Sequence, residues 1–240
     1  MMSYKAVCFD IDGTLYPIGT MNSRLLRLSL RHPLFGLRYR RNRREYRRWQ
    51  STFTQKVPFR WREAMIVQNG TGKEMPFDKE TYRRTYERLE SLVYGPMRRL
   101  YRRTRTFDGV RDTFLRIRDD GLKIGVFTDF PLFDKLEGMG LADLVDFAAS
   151  SDDVGYLKPD THCLEYLLYN LGMGPKDVLY VGDSYEKDVK GAMAAGIDAV
   201  LVNVKAPASA DLHREYPLAK AVFRTWDEFD RWLAATMEDR

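Results

Sequence analysis

The sequence predicts an α/β protein with a Rossmann-like parallel sheet core and an inserted, mostly α-helical cap domain. Three observations predict it. Short apolar, β-rich runs alternate with helical stretches over most of the chain. A strongly basic segment of different composition separates the first of those runs from the others. Acidic and polar residues stand at the ends of the runs, where open parallel sheets place their ligands.

The runs, in order, are YKAVCF (4–9), LKIGVFT (122–128), LVDFAAS (144–150), DVLYVG (177–182) and DAVLVNV (198–204). They read as five buried parallel strands bounded by Gly or Asp. Thr161–Leu171 and Glu186–Ala195 read as helices, the second closed by Gly196 in the C-cap position. Thr225 followed by Glu228 resembles a capping box that opens a last helix, WDEFDRWLAA.

Charge divides the chain. Residues 15–107 contain 23 Lys+Arg and 7 Asp+Glu, a local charge of +16, whereas the remainder contains 16 and 27, a charge of −11. Two compositions predict two units, a core from residues 1–15 and 107–240 and an insertion at 16–106. Within the insertion, Phe35, Tyr39, Asn42, Tyr46, Trp49 and Phe53 recur in steps of four and three, the packing face of an amphipathic helix. Arg38, Arg40, Arg41, Arg43, Arg44, Arg47 and Arg48 occupy its other faces against a single acid, Glu45. Three uses of this run are open: a solvated surface, cationic support for an anionic site or a second anionic group of its ligand, and non-specific attraction to nucleic acid or an anionic membrane. Nucleic acid is the less favoured partner, because packing already accounts for the aromatic stripe. Pro58 and NGTG (69–72) mark breaks before a long helix from Asp78, interrupted at Gly95–Pro96.

Composition excludes several classes. With 44% hydrophobic and 30% charged residues in 240, the chain reads as globular and not disordered. No apolar run approaches the ~20 residues that span a bilayer, and MMSYKAVCFD lacks signal-peptide anatomy. Cys8 and Cys163, without a CxxC or Cys/His cluster, predict reduced core thiols and a cytoplasmic protein. NGTGKEM is not a P-loop, GDSYE around Ser184 is not a nucleophile elbow, and His32, His162 and His213 have no metal-ligand spacing.

The chemistry is expected at the strand ends. Asp10 and Asp12 are two apart, on one side of an extended chain, and two such carboxylates repel unless a cation sits between them. Gly13 then lets the chain leave the sheet. Thr128 and Asp129 follow the second run, Lys158 stands in GYLKPD, and Asp183 and Asp188 stand in VGDSYEKD. Any one of these has an ordinary structural explanation; four groups in this order do not.

These motifs, DIDGT, the Thr after the second strand, the Lys of LKPD, and GDSYEKD continuing to GAMAAG, resemble those of the haloacid dehalogenase superfamily phosphatases over roughly residues 4–15 and 107–204. The insertion at 16–106 lies where this family places a helical cap. The resemblance implies Asp10 as nucleophile and Asp12 as general acid/base. It implies Thr128 and Lys158 as phosphate binders, joined by the backbone N–H of Asp129. Mg²⁺ would be held by Asp10, Asp183 and the backbone carbonyl of Asp12, with Asp188 supporting the metal or Lys158. Asp129 departs from the uncharged residue of many relatives, and its carboxylate is expected to point away from phosphate. Asp12 favours phosphate chemistry over carbon–halogen cleavage. The expected activity is Mg²⁺-dependent hydrolysis of a small phosphorylated metabolite through an aspartyl-phosphate. A phosphotransferase, or an anion-binding protein with a residual site, are the alternatives. The sequence assigns no oligomeric state.

Overall fold

The computed structural model describes residues 4–132 and 134–238, so the outermost residues of the expected core segments 1–15 and 107–240 lie outside the described residues. Six strands form one parallel sheet: β1 (Ala6–Phe9), β2 (Lys123–Thr128), β3 (Phe147–Ser150), β4 (Val178–Gly182), β5 (Asp198–Leu201) and β6 (Ala221–Val222). Their order is β3-β2-β1-β4-β5-β6. The chain winds outward from β1 to β3, then returns to start again at β4. The switch point therefore lies between β1 and β4, where the outgoing loops diverge and leave a crevice.

Alternate residues of each strand serve opposite faces. Val7, Phe9, Ile124, Val126 and Val181 pack against α6 (Val110–Asp119) and the C-terminal α12 (Trp226–Glu238) through Phe114, Trp226 and Phe229. Ala6, Cys8, Phe127 and Tyr180 pack against α9 (His162–Leu171) and α10 (Lys190–Ala194) through Leu164, Leu167 and Ala192. Each large apolar side chain buried this way contributes roughly 1.5–3 kcal/mol. Cys8 and Cys163 are free, buried members of the second cluster. Short helices α7 (Lys135–Gly138), α8 (Ser151–Val154) and α11 (Leu212–Glu215) complete this part.

Between β1 and α6 the described chain is helical: α1 (Gly19–Arg31), α2 (Pro33–Trp49), α3 (Phe59–Asn69), α4 (Lys79–Leu89) and α5 (Gly95–Tyr101). The aromatic stripe of α2 faces inward, with Phe35, Tyr39, Asn42 and Tyr46 buried and Trp49 half-buried. But the helix ends at Trp49, and Phe53, also half-buried, follows a tighter turn at Gln50–Thr52 in extended backbone. Pro58 precedes α3, and Gly70 ends it in the left-handed region. Asp78 caps α4, accepting from Thr81 N at 2.8 Å. No helix among the described residues is long and apolar enough to cross a membrane.

Four details depart from the sequence reading. A sixth strand, β6, is two residues long, too short to carry a periodicity. The helix expected at 186–195 opens with a π turn, Tyr185–Val189, because Asp188 is drawn inward by the ε-ammonium of Lys158. The break at Gly95–Pro96 is a second π turn, Glu90–Tyr94, that runs on into α5. At the last helix, Glu228 N donates to Thr225 at 3.2 Å, but the Glu228 carboxylate accepts from Arg224 N, one residue earlier than a capping box requires.

Candidate active site

β1 ends at the switch point and delivers Asp10 and Asp12 into it. Asp10 accepts from Lys158 Nζ at 2.6 Å and from Thr14 Oγ1 at 3.1 Å. The same ammonium donates to Asp188 at 2.6 Å and to Tyr180 OH at 3.0 Å. Asp188 also accepts from Ser184 N at 2.9 Å, which ties the turn after β4 to its own helix. Two glycines make this crowding possible. Gly13 has φ +102°, and a Cβ there would come within 2.1 Å of Asp183 Oδ2. A Cβ on Gly182 would come within 2.3 Å of Asp188 Cβ. Asn203 holds the first turn by donating to the carbonyls of Gly13 and Thr14, each at 3.0 Å.

Asp10, Asp183 and Asp188 can each place a carboxylate oxygen within 4.8 Å of the others'. Burial, reinforced by Asp188 and Asp183 and opposed by Lys158, pushes the Asp10 carboxyl up to about 7. Burial and then Asp188 push Asp183 up to about 6. Asp183 Oδ1 is buried with no hydrogen-bond partner. Close carboxylates, more acid than base and an orphaned oxygen fit a hard cation with oxygen ligands, the donor set that suits Mg²⁺.

The Asp12 side chain is not in that triad. It turns toward the β2 side and accepts from Tyr16 OH at 2.5 Å, Thr128 Oγ1 at 2.6 Å and Lys135 Nζ at 2.7 Å. Burial works to raise its pKa, but Lys135 and the two hydroxyls outweigh it and hold the carboxyl below the ordinary value. The expectation of two repelling carboxylates on one side is thus corrected. β1 lies between β2 and β4, and the two side chains part toward different neighbours. Lys135 and Tyr16 were not among the sequence candidates. Lys135 is 1% exposed, and its ammonium also lies 4.4 Å from the centre of the Tyr101 ring. Its signal was faint: a lone lysine among Phe130, Leu132 and Leu136. Tyr16, four residues after Asp12, had no motif to mark it.

Asp129 is also more than a backbone donor. Its carboxylate accepts from Lys158 N at 2.9 Å and from Arg47 Nη2 at 2.5 Å. Its carbonyl accepts from Arg43 Nη1 at 2.7 Å, while Arg47 Nε donates to the Lys158 carbonyl at 2.7 Å. Burial raises its pKa, but Arg47 and Lys158 prevail and lower it. Arg43 reaches back to Glu63 at 3.2 Å, a buried acid that also accepts from Asn42 at 2.6 Å and from Tyr94. The arginine run therefore divides. Arg43 and Arg47, one turn apart, face the strand-end loops; Arg38, Arg40, Arg41, Arg44 and Arg48 are exposed. Ser184 caps its own turn by accepting from Lys187 N at 3.4 Å, and His162 pairs with Asp160.

The family model described as haloacid dehalogenase-like hydrolase matches residues 4–196. The chain is 25% identical over 217 residues to the glyceraldehyde 3-phosphate phosphatase of Methanothermobacter thermautotrophicus, covering 83% of this chain and 85% of that protein. It is 26% identical over 215 residues to the ribulose-1,5-bisphosphate 5-phosphatase of Halopiger xanaduensis, covering 82% and 83%. A crystal structure of an L-2-haloacid dehalogenase superposes with a TM-score of 0.65 at 18% identity, covering 97% of this chain and 99% of that one, a likeness of fold.

Proposed function

This chain belongs to the haloacid dehalogenase-like hydrolases and is a phosphatase of that family, and on that premise we propose that it hydrolyses small phosphate monoesters in the cytoplasm, with Asp10 as nucleophile. The observation that carries the reading is the split between the two aspartates. Asp10 stands in an acid-rich pocket beside Lys158, and Asp12, one residue removed, stands in a donor-rich pocket of its own. Residues 1–15 and 107–240 form the hydrolase core in this reading, and 16–106 its cap.

Asp10, Asp183 and the backbone carbonyl of Asp12 would hold Mg²⁺, with Asp188 in support, and the bound ion offsets the charge that three acids and a phosphate dianion bring together. Thr128 Oγ1, the Asp129 N–H and the Lys158 ammonium hold the phosphate oxygens. Asp10 attacks phosphorus in line as the bond to the alcohol oxygen breaks, leaving an aspartyl-phosphate. Asp12 gives the departing oxygen its proton, then takes one from the water that attacks phosphorus and releases Asp10 and inorganic phosphate. In the free protein its three donors favour the ionised form. A phosphate dianion alongside is a like charge and raises its proton affinity, supplying the acid form needed first.

The test is phosphate release from a panel of phosphate esters, with Mg²⁺ and after chelation by EDTA, alongside Asp10→Asn. Release that needs Mg²⁺ and vanishes in the variant supports the reading. Equal release by the variant, or full activity after chelation, overturns it.

A further inference from the structure

A cleft of about 730 Å³ opens where α2 meets the segment after α8 and the turn after β4, and its lining includes Arg44, Arg47, Arg48, Asp160, Glu186 and Lys187. Its volume is in the range of small-molecule sites, roughly 300–1,000 Å³. The charges along it are unequal in a specific way. Of the two acids, Glu186 is paired with Lys190 Nζ at 2.7 Å, and Asp160 is hydrogen-bonded to His162 Nδ1 at 2.7 Å. Arg47 is committed to Asp129. Among the described residues, Arg44, Arg48 and Lys187 have no acidic partner within 4.0 Å, so three cations without an ion pair converge on one surface.

The cleft neighbours the reacting centre along the chain. Two further lining residues, Pro159 and Ser184, directly follow Lys158 and Asp183. Lys187 is half-buried, and its charge is felt by Asp188, Asp10 and Asp129. Walls of low dielectric concentrate such a field on whatever enters.

We infer that this cleft is the subsite for a second anionic group of the substrate, a carboxylate or a further phosphate, held by Arg44, Arg48 and Lys187. The enzyme's substrates are then phosphate monoesters that carry another negative group beyond the scissile phosphate. This rests on the phosphatase reading for the scissile end only; the cleft's own preference for anions does not depend on turnover.

Two measurements keep the readings apart. In the first, kcat/KM is compared for matched esters with and without the second group: 3-phosphoglycerate against glycerol 3-phosphate for a carboxylate, and 1,3-propanediol bisphosphate against propyl phosphate for a phosphate. Wild type is expected to favour the doubly anionic member of at least one pair by tenfold or more. The Arg44→Gln/Arg48→Gln variant is expected to lose that preference through KM, with turnover of the singly anionic esters unchanged. The pair that responds identifies the group. In the second, calorimetry compares binding of non-hydrolysable 3-phosphonopropionate and propylphosphonate to both proteins. Tighter binding of the former by tenfold, lost in the variant, supports the subsite even if no ester turns over. No preference in wild type by either measurement, or a preference the variant retains, overturns it.

Discussion

Asp10 and Asp12 are separated by one residue and buried to a similar degree, but their carboxyls are displaced in opposite directions. Asp10 turns to the β4 side, where it shares the Lys158 ammonium with Asp188 and lies close to Asp183. Asp12 turns to the β2 side, where it accepts from two hydroxyls and the Lys135 ammonium. Burial is the largest influence on both and would raise both. What separates them is the ratio of acids to donors around each. A pocket short of cations suits a metal ion. One rich in donors stabilises an anion without help. Adjacent residues of one strand can therefore be given different tasks by which neighbouring strand each one faces.

The largest effect that would break this comparison is at the nucleophile. Asp10→Asn is nearly isosteric and is expected to lower kcat by on the order of 10⁴-fold or more with an unchanged circular dichroism spectrum. Asp12→Asn is expected to lose roughly 10²- to 10⁴-fold, most for esters whose leaving alcohol has a high pKa. Equal losses across a leaving-group series would remove Asp12 from proton transfer. Next comes the metal: Asp183→Ala is expected to need far more Mg²⁺ for half-maximal activity, read by titration of the chelated protein. An unchanged Mg²⁺ requirement would take Asp183 out of the ligand set.

Smaller effects sharpen the contrast through pH. The Asp10 carboxyl is raised to about 7 from its unfolded value, so its favourable contribution to folding of the metal-free protein is complete below about 4 and is lost as pH rises through about 7. Metal-free wild type is therefore expected to melt at falling temperature from pH 5 to 8, and Asp10→Asn to show a flatter profile. The Asp12 carboxyl is lowered, so its contribution has the opposite sign: present above its unfolded pKa and lost as pH falls through the lower folded value. Lys135→Gln should move the acid limb of the kcat profile upward, because it removes the leading charge that holds Asp12 down. Smallest of all, Arg38→Gln/Arg40→Gln touches two exposed side chains and is expected to change stability by no more than about 0.5 kcal/mol.

What was legible in the sequence follows from the range of each interaction. DIDGT and GDSYEKD were readable because backbone period fixes the relative placement of residues a few positions apart. The α2 stripe was readable for the same reason, and the helix buries it as its spacing requires. Lys135 was missed because it acts on Asp12 from more than a hundred residues away, and nothing local to FDKLEG says which strand end it will meet. The division of the arginines was hidden similarly. Arg43 and Arg47 stand in a regular i, i+4 relation, but only the folded chain brings Asp129 beneath them. The short β6 escaped because two residues cannot establish an alternation.

The parallel pairing of β1 with both β2 and β4 also has a consequence in time. Ala6 pairs with Lys123 on one side and Val178 on the other, so both halves of the reacting centre are non-local contacts. The insertion is built from successive helices such as α1 and α2 and can form from short-range contacts first. On the ribosome, at roughly 5–20 residues per second, Asp10 emerges on the order of ten seconds before β4 exists to receive it. Until then the edge of β1 that β4 covers is unpaired, beside a helical segment whose contacts are mostly local. Recovery of helical signal on refolding should accordingly precede recovery of activity, with the interval set by how fast the first strand finds its fourth.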